Sequence, residues 1–153
     1  MMEKKPSLNI YDSAGKLISY SHYTITYSSE RKSVGTSTYK VTFNGSYYSG
    51  TKTVSFVIVP KKSTIKKVSV GNNYMTVYAT SKASSLAGAG YQIAYRVLGT
   101  TRWKYTTTTL TSKNISKLIK GKKYQVMIRA YKKVGRKNYY GAWSSTKTSE
   151  KVR

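Results

Sequence analysis

The sequence predicts an all-β protein built as two small sandwich units, on three observations. Short runs rich in Val, Ile, Thr and Tyr recur about every ten residues. Gly, Pro and Asn-Gly pairs punctuate them. No stretch shows the three- and four-residue apolar spacing of an amphipathic helix. At 153 residues there is room for two units, each small enough to bury proportionally little surface. Sixteen tyrosines supply much of the 39% apolar share, so the cores are expected to be aromatic and β-branched, which suits strands.

In the first half, residues 8–11 and 16–20 are predicted to pair as a hairpin about Asp12-Ser13-Ala14-Gly15, with Gly15 taking the positive φ. Tyr23–Tyr27 alternates with period two, and a polar loop at 28–33 follows it. Strands at 37–43 and 52–59 are joined through Asn44-Gly45. The polar segment 60–63 separates domains at 1–60 and 61–153.

Beyond it, strands are predicted at 65–70, 74–79, 91–97, 103–108, 113–115, 124–131 and 139–145. Seven strands in about 90 residues is the count of an immunoglobulin-like sandwich. Within 124–131 the inward set is Tyr124, Val126, Ile128 and Ala130. Within 91–97 it is Tyr91, Ile93, Tyr95 and Val97, leaving Gln92, Ala94 and Arg96 outward.

Val68 with Met75-Thr76-Val77-Tyr78, then Tyr91-Gln92-Ile93-Ala94-Tyr95-Arg96, then Gly141-Ala142-Trp143-Ser144 occur in the order of a fibronectin type III module. Leu118, Gly121 and Tyr124 complete that resemblance as its structural corner, which implies a Tyr124 hydroxyl bonded back to the backbone. Tyr78 stands where that family usually has a core Trp. Residues 6–59 resemble an immunoglobulin-like repeat of large bacterial surface proteins, through Tyr11-Asp12-Ser13-Ala14-Gly15-Lys16, Val34-Gly35-Thr36 and the Gly45 to Gly50 hairpin. The resemblance implies an additional strand ahead of Pro6, where Met1 and Met2 stand. The chain is therefore expected to be a piece of a longer one, or to take that strand from a neighbour.

Composition argues against catalysis. General acid–base chemistry needs a histidine or carboxylate held near a partner, and the supply is His22 with Glu3, Asp12, Glu30 and Glu150. No spacing suggests paired carboxylates, a hard-cation site or, without cysteine, a thiolate metal site. No enzyme activity, cofactor or metal is expected. Asn44-Gly45-Ser46 and Asn114-Ile115-Ser116 fit the glycosylation acceptor pattern and are read as chance matches.

Charge is the one unusual property. Residues 1–60 hold seven basic and three acidic groups, a net +4; residues 61–153 hold 21 and one, a net +20, which together make the formal +24. Basic groups cluster at Lys61, Lys62, Lys66 and Lys67, at Lys120, Lys122 and Lys123, and at Lys132, Lys133, Arg136 and Lys137. The last two clusters are the candidate polyanion-binding residues, and the resemblance implies opposite ends of the second unit for them. The expected partner is an anionic cell-wall polymer, a glycan or a protein receptor. Nucleic acid is the weaker reading, because the nearby Tyr131, Tyr139, Tyr140 and Trp143 are also what sheet packing needs. A plain solvated lysine surface that keeps β edges apart accounts for the same residues. The function expected is a non-catalytic spacer and adhesive module, extracellular or at a bacterial cell surface; a virion surface protein, an accessory region of a carbohydrate-active enzyme and a polyanion-binding module are the alternatives.

Overall fold

The computed structural model describes residues 8–29, 33–45, 47–80 and 88–153. The chain divides into two compact units, 1–58 and 59–153. Glu3, Glu30 and Ser46 lie outside the described residues, and with them part of the 28–33 loop and the third position of the first acceptor pattern.

The 1–58 unit holds β1 (Tyr23–Tyr27), β2 (Gly35–Phe43) and β3 (Thr51–Ile58), antiparallel in the order β1-β2-β3. The register sets Tyr23, Ile25 and Tyr27 opposite Phe43, Val41 and Tyr39, and sets Val54 opposite Tyr39. Period two therefore collects the apolar side chains on one face. Ile18, Tyr23, Tyr39 and Val41 are buried there, with Leu8, Ile10, Tyr48 and Phe56 packed against them. Thr24, Thr26, Thr42, Thr53 and Ser55 occupy the other face.

The hairpin expected at 8–20 is reduced to one isolated bridge, Tyr11 to Leu17. Tyr11 is 56% and Leu17 57% exposed, while Ile10 and Ile18 pack on the core and the Ile18 amide donates to the Ile10 carbonyl at 2.8 Å. The bend is held instead by Asp12, whose Oδ1 accepts from the Ala14 and Lys16 amides at 3.0 and 2.8 Å. Tyr20–His22 forms a single 3-10 turn, where an extended residue 20 was expected.

In the 59–153 unit, β4 (Ile65–Gly71), β5 (Tyr74–Ala79) and β8 (Ser112–Ile115) form one antiparallel sheet in the order β4-β5-β8. The other sheet runs β10-β9-β6-β7, from β6 (Ala89–Val97), β7 (Lys104–Thr108), β9 (Tyr124–Val134) and β10 (Lys137–Tyr140); β11 (Lys147–Thr148) also pairs with β9. One core joins them. Met75, Val77 and Ile115 from the first sheet meet Tyr91, Ile93, Tyr124, Val126, Ile128 and Ala130 from the second. Burying a side chain of that size contributes about 1.5–3 kcal/mol.

Two expectations are corrected here and a third is extended. Tyr78 is not a core residue: Met75, Val77 and the partly buried Ala79 face the core, so period two turns Tyr78 outward, where the Lys67 ammonium lies 4.6 Å from its ring centre. Ala94 lies on the outer face, as its register requires, yet its exposure is 0%, because that face carries its own aromatic layer. The strand expected at 139–145 spans Lys137–Tyr140 instead.

After Tyr140 the chain stays beside β9 by a different device. Ser144 donates its amide to the Ile128 carbonyl at 2.7 Å, and its hydroxyl accepts from the Ile128 amide at 3.0 Å. Ser149 repeats this on Tyr124, at 2.8 and 3.0 Å. In both, the hydroxyl stands in for the residue's own carbonyl and passes its proton to the next residue's carbonyl, of Ser145 or of Glu150. Ser144 and Ser149 are 6% and 3% exposed, so no water is at hand to serve those amides.

Candidate polyanion interface

Basic side chains gather at both ends of the 59–153 unit. At one end the link from β8 to β9 turns tightly. Leu118 is buried, Gly121 takes φ +78°, and the Tyr124 hydroxyl accepts from the Ile119 amide at 2.9 Å. Asn73 joins this corner: its carbonyl accepts from the Leu118 amide, and its side-chain amide donates to the Leu118 carbonyl at 3.1 Å. Lys120 and Lys122 project from the turn into solvent, and Lys123 is half-buried. Tyr124→Phe removes the acceptor of the Ile119 amide and is expected to cost about 1 kcal/mol. Urea unfolding measures it, and an unchanged midpoint would show the hydroxyl to be idle.

At the other end, Lys132, Lys133, Arg136 and Lys137 ride on the β9–β10 hairpin, where Val134 pairs with Lys137. The Lys137 ammonium sits 5.2 Å from the Tyr139 ring centre. The structure thus separates the two candidate clusters along β9, whose eleven residues span about 35 Å. Lys61, Lys62, Lys66 and Lys67 are exposed, and the Lys66 carbonyl accepts from the Lys147 ammonium at 3.1 Å.

Between the ends, the outer face of β10-β9-β6-β7 holds arginines stacked on rings. The Arg129 guanidinium lies 3.9 Å from the Tyr140 and 4.4 Å from the Trp143 ring centre, while its Nε donates to Gln92 at 2.8 Å. Arg96 lies 4.3 Å from the Trp103 ring centre and its Nε donates to Gln125 at 2.8 Å. Tyr105 meets Trp143, and Tyr131 meets Tyr140. Each stacked cation contributes about 0.5–1 kcal/mol. Sequence reasoning placed Gln92, Arg96, Gln125 and Arg129 outward but did not pair them. The pairing follows from the register Gln92 to Arg129 and Arg96 to Gln125, which alternation within single strands does not reveal.

In the 1–58 unit a shallow depression of about 180 Å³ is lined by Ser21, His22, Asn44, Gly45, Tyr47 and Tyr48. His22 meets the edge of the Tyr48 ring, and the Tyr48 hydroxyl donates to Asp12 Oδ2 at 3.3 Å. The Lys16 amide, foremost, holds the Asp12 carboxyl below its ordinary value of 3.8, and burial pushes the Tyr48 phenol up. A carboxyl lowered by folding stabilises above its unfolded value, and that stability is lost as pH falls through the folded one. The bend of residues 11–17 is therefore expected to keep its order at neutral pH and to lose it only as the pH falls below the ordinary carboxylate value. Amide NMR of Ala14 and Lys16 across that range reads the effect, and Asp12→Asn should abolish the pH dependence.

Among the described residues, no group of three or more His, Asp or Glu side chains is placed to hold a metal ion, and no helix is long and apolar enough to cross a membrane.

No protein-family model matches the sequence, and neither does any curated protein. Among solved structures the chain is similar to one described as "Myokine structure", at 15% identity and TM-score 0.46 over 62% of this chain and 97% of that one. A likeness so distant carries no inference about function.

Proposed function

We propose that the chain is a non-catalytic module of a bacterial cell-surface or secreted protein, acting as a spacer that also binds weakly. In this reading residues 61–153 are a fibronectin type III domain, and residues 1–60 are an immunoglobulin-like repeat. What supports it most is the way the second core is closed: two sheets over one apolar interior, pinned by the bond between the Tyr124 hydroxyl and the Ile119 amide. Met75, Val77, Tyr91, Ile93 and Ile128 fill that interior with side chains, the packing of a scaffold. The Ser144 and Ser149 bonds tie the closing segment down and favour resistance to local opening.

Localisation tests the reading. Antibody against the chain should label intact source cells, and brief protease treatment of whole cells should release the antigen. Labelling that appears only after lysis overturns the surface assignment.

A further inference from the structure

We propose that the corner end of the 59–153 unit docks a linear polyol-phosphate polymer, a chain of phosphodiesters that carries no bases. The inference goes beyond the surface-spacer reading and does not rest on it, since the spacer role by itself requires no such end.

Four chain segments converge there through backbone bonds. The Gly121 amide donates to Val152 at 2.7 Å and the Val152 amide to Lys122 at 3.0 Å. The Arg153 amide donates to Gly71 at 3.0 Å, and the Leu98 amide to Lys123 at 2.9 Å. Those segments bring Arg102, Lys117, Lys120, Lys122, Lys123, Lys151 and Arg153 to one end, with Glu150 as their one acidic side chain. All seven cations but the half-buried Lys123 are exposed.

The backbone beneath them is anchored. Leu118, Tyr124 and Val152 are 5%, 4% and 2% exposed, so the loops cannot spread to relieve repulsion among like charges. A polyanion relieves it instead, and meets cations already in place, with little further ordering required. Five of the seven are lysines, compact point charges that suit phosphate oxygens.

The missing chemistry names the partner. Residues 71–73, 98–102, 117–123 and 149–153 include no aromatic side chain, and the neighbouring Tyr74 ring is packed over Gly71. Tyr74 is 38% exposed, and Trp103, next to Arg102, is half-buried with the Arg96 guanidinium 4.3 Å from its ring centre, so nucleic-acid bases would find few free ring faces there to stack on. The hairpin end differs, since Tyr131, Tyr139 and Tyr140 interleave its cations.

The test uses the whole chain and fluorescently labelled poly(glycerol phosphate), with anisotropy titrations at several salt concentrations. Seven phosphate contacts on a flexible chain predict that log affinity falls against log salt with a slope of about −5. Replacing Lys120, Lys122 and Lys123 by Gln should flatten that slope by about 2 and weaken binding roughly tenfold. Replacing Lys132, Lys133, Arg136 and Lys137 by Gln should weaken it by less than about threefold, since those cations lie away from the polymer's path. If the triple variant fails to fold, Lys120→Gln and Lys122→Gln tested singly should each flatten the slope by about 0.7. Equal losses from both sets, or unchanged binding by the corner variants, would overturn the site. Oligothymidylate of matched charge binding as tightly as poly(glycerol phosphate) would overturn the partner. A chain retained inside cells that still bound the polymer would sink the spacer reading and leave this one standing.

Discussion

Replacing Ser144 and Ser149 together by alanine is expected to destabilise the 59–153 unit by about 2–6 kcal/mol, the sum of about 1–3 for each stranded amide. The two hydroxyls are the acceptors of the Ile128 and Tyr124 amides, and both serines are buried. Alanine keeps the backbone bonds from Ser144 and Ser149 to β9 but provides no acceptor in return. The lesions act four residues apart on one strand, about 13 Å, far enough for their effects to add. Urea unfolding of the single and double variants measures this. A double variant within about 0.5 kcal/mol of the parent would mean that main-chain carbonyls swing in to take the hydroxyls' place.

Gly90→Ala is the second large effect, expected to cost about 3 kcal/mol through overpacking. A Cβ at residue 90 would sit 2.5 Å from the Thr108 carbonyl oxygen and 2.9 Å from the Tyr131 ring. The ring can rotate, but the carbonyl belongs to β7, so β6 and β7 must part. Gly99→Ala is the control. Nothing lies within 4 Å there, and only its φ of +89° penalises a side chain, at about 1–2 kcal/mol. Thermal melts of both should rank Gly90→Ala well below Gly99→Ala, and the reverse order would contradict the packing at β7.

Much of the architecture was legible because sheet chemistry is local and periodic. The alternation in Tyr124-Gln125-Val126-Met127-Ile128-Arg129-Ala130 names its buried face without any partner, and the structure buries those four residues. Tyr23–Tyr27 and Tyr74–Ala79 were legible for the same reason. The misreadings have local causes too. Residues 8–20 have strand composition, but a strand also needs a neighbour to pair with over its length, and beyond the Asp12 turn the pairing stops at the bond between the Ile18 amide and the Ile10 carbonyl. Tyr78 was matched to the position of a core Trp through the family resemblance, when its parity with Met75 and Val77 excluded it from the core.

The candidate site divides along the same line. The excess of lysine over acid, and its concentration after residue 60, belong to composition and could be counted at once. That Lys120, Lys122 and Lys123 share an end with Lys151 and Arg153 required the bonds between Gly121, Lys122 and Val152. The pairing of Arg129 with Gln92 and Trp143, and the serine hydroxyls that replace carbonyls beside β9, likewise wait on contacts between residues far apart in the chain. Alternation and charge are properties of neighbours along the backbone, so the sequence alone carries them. Register and the meeting of loops come from closing two sheets over one core, and only the folded chain supplies that.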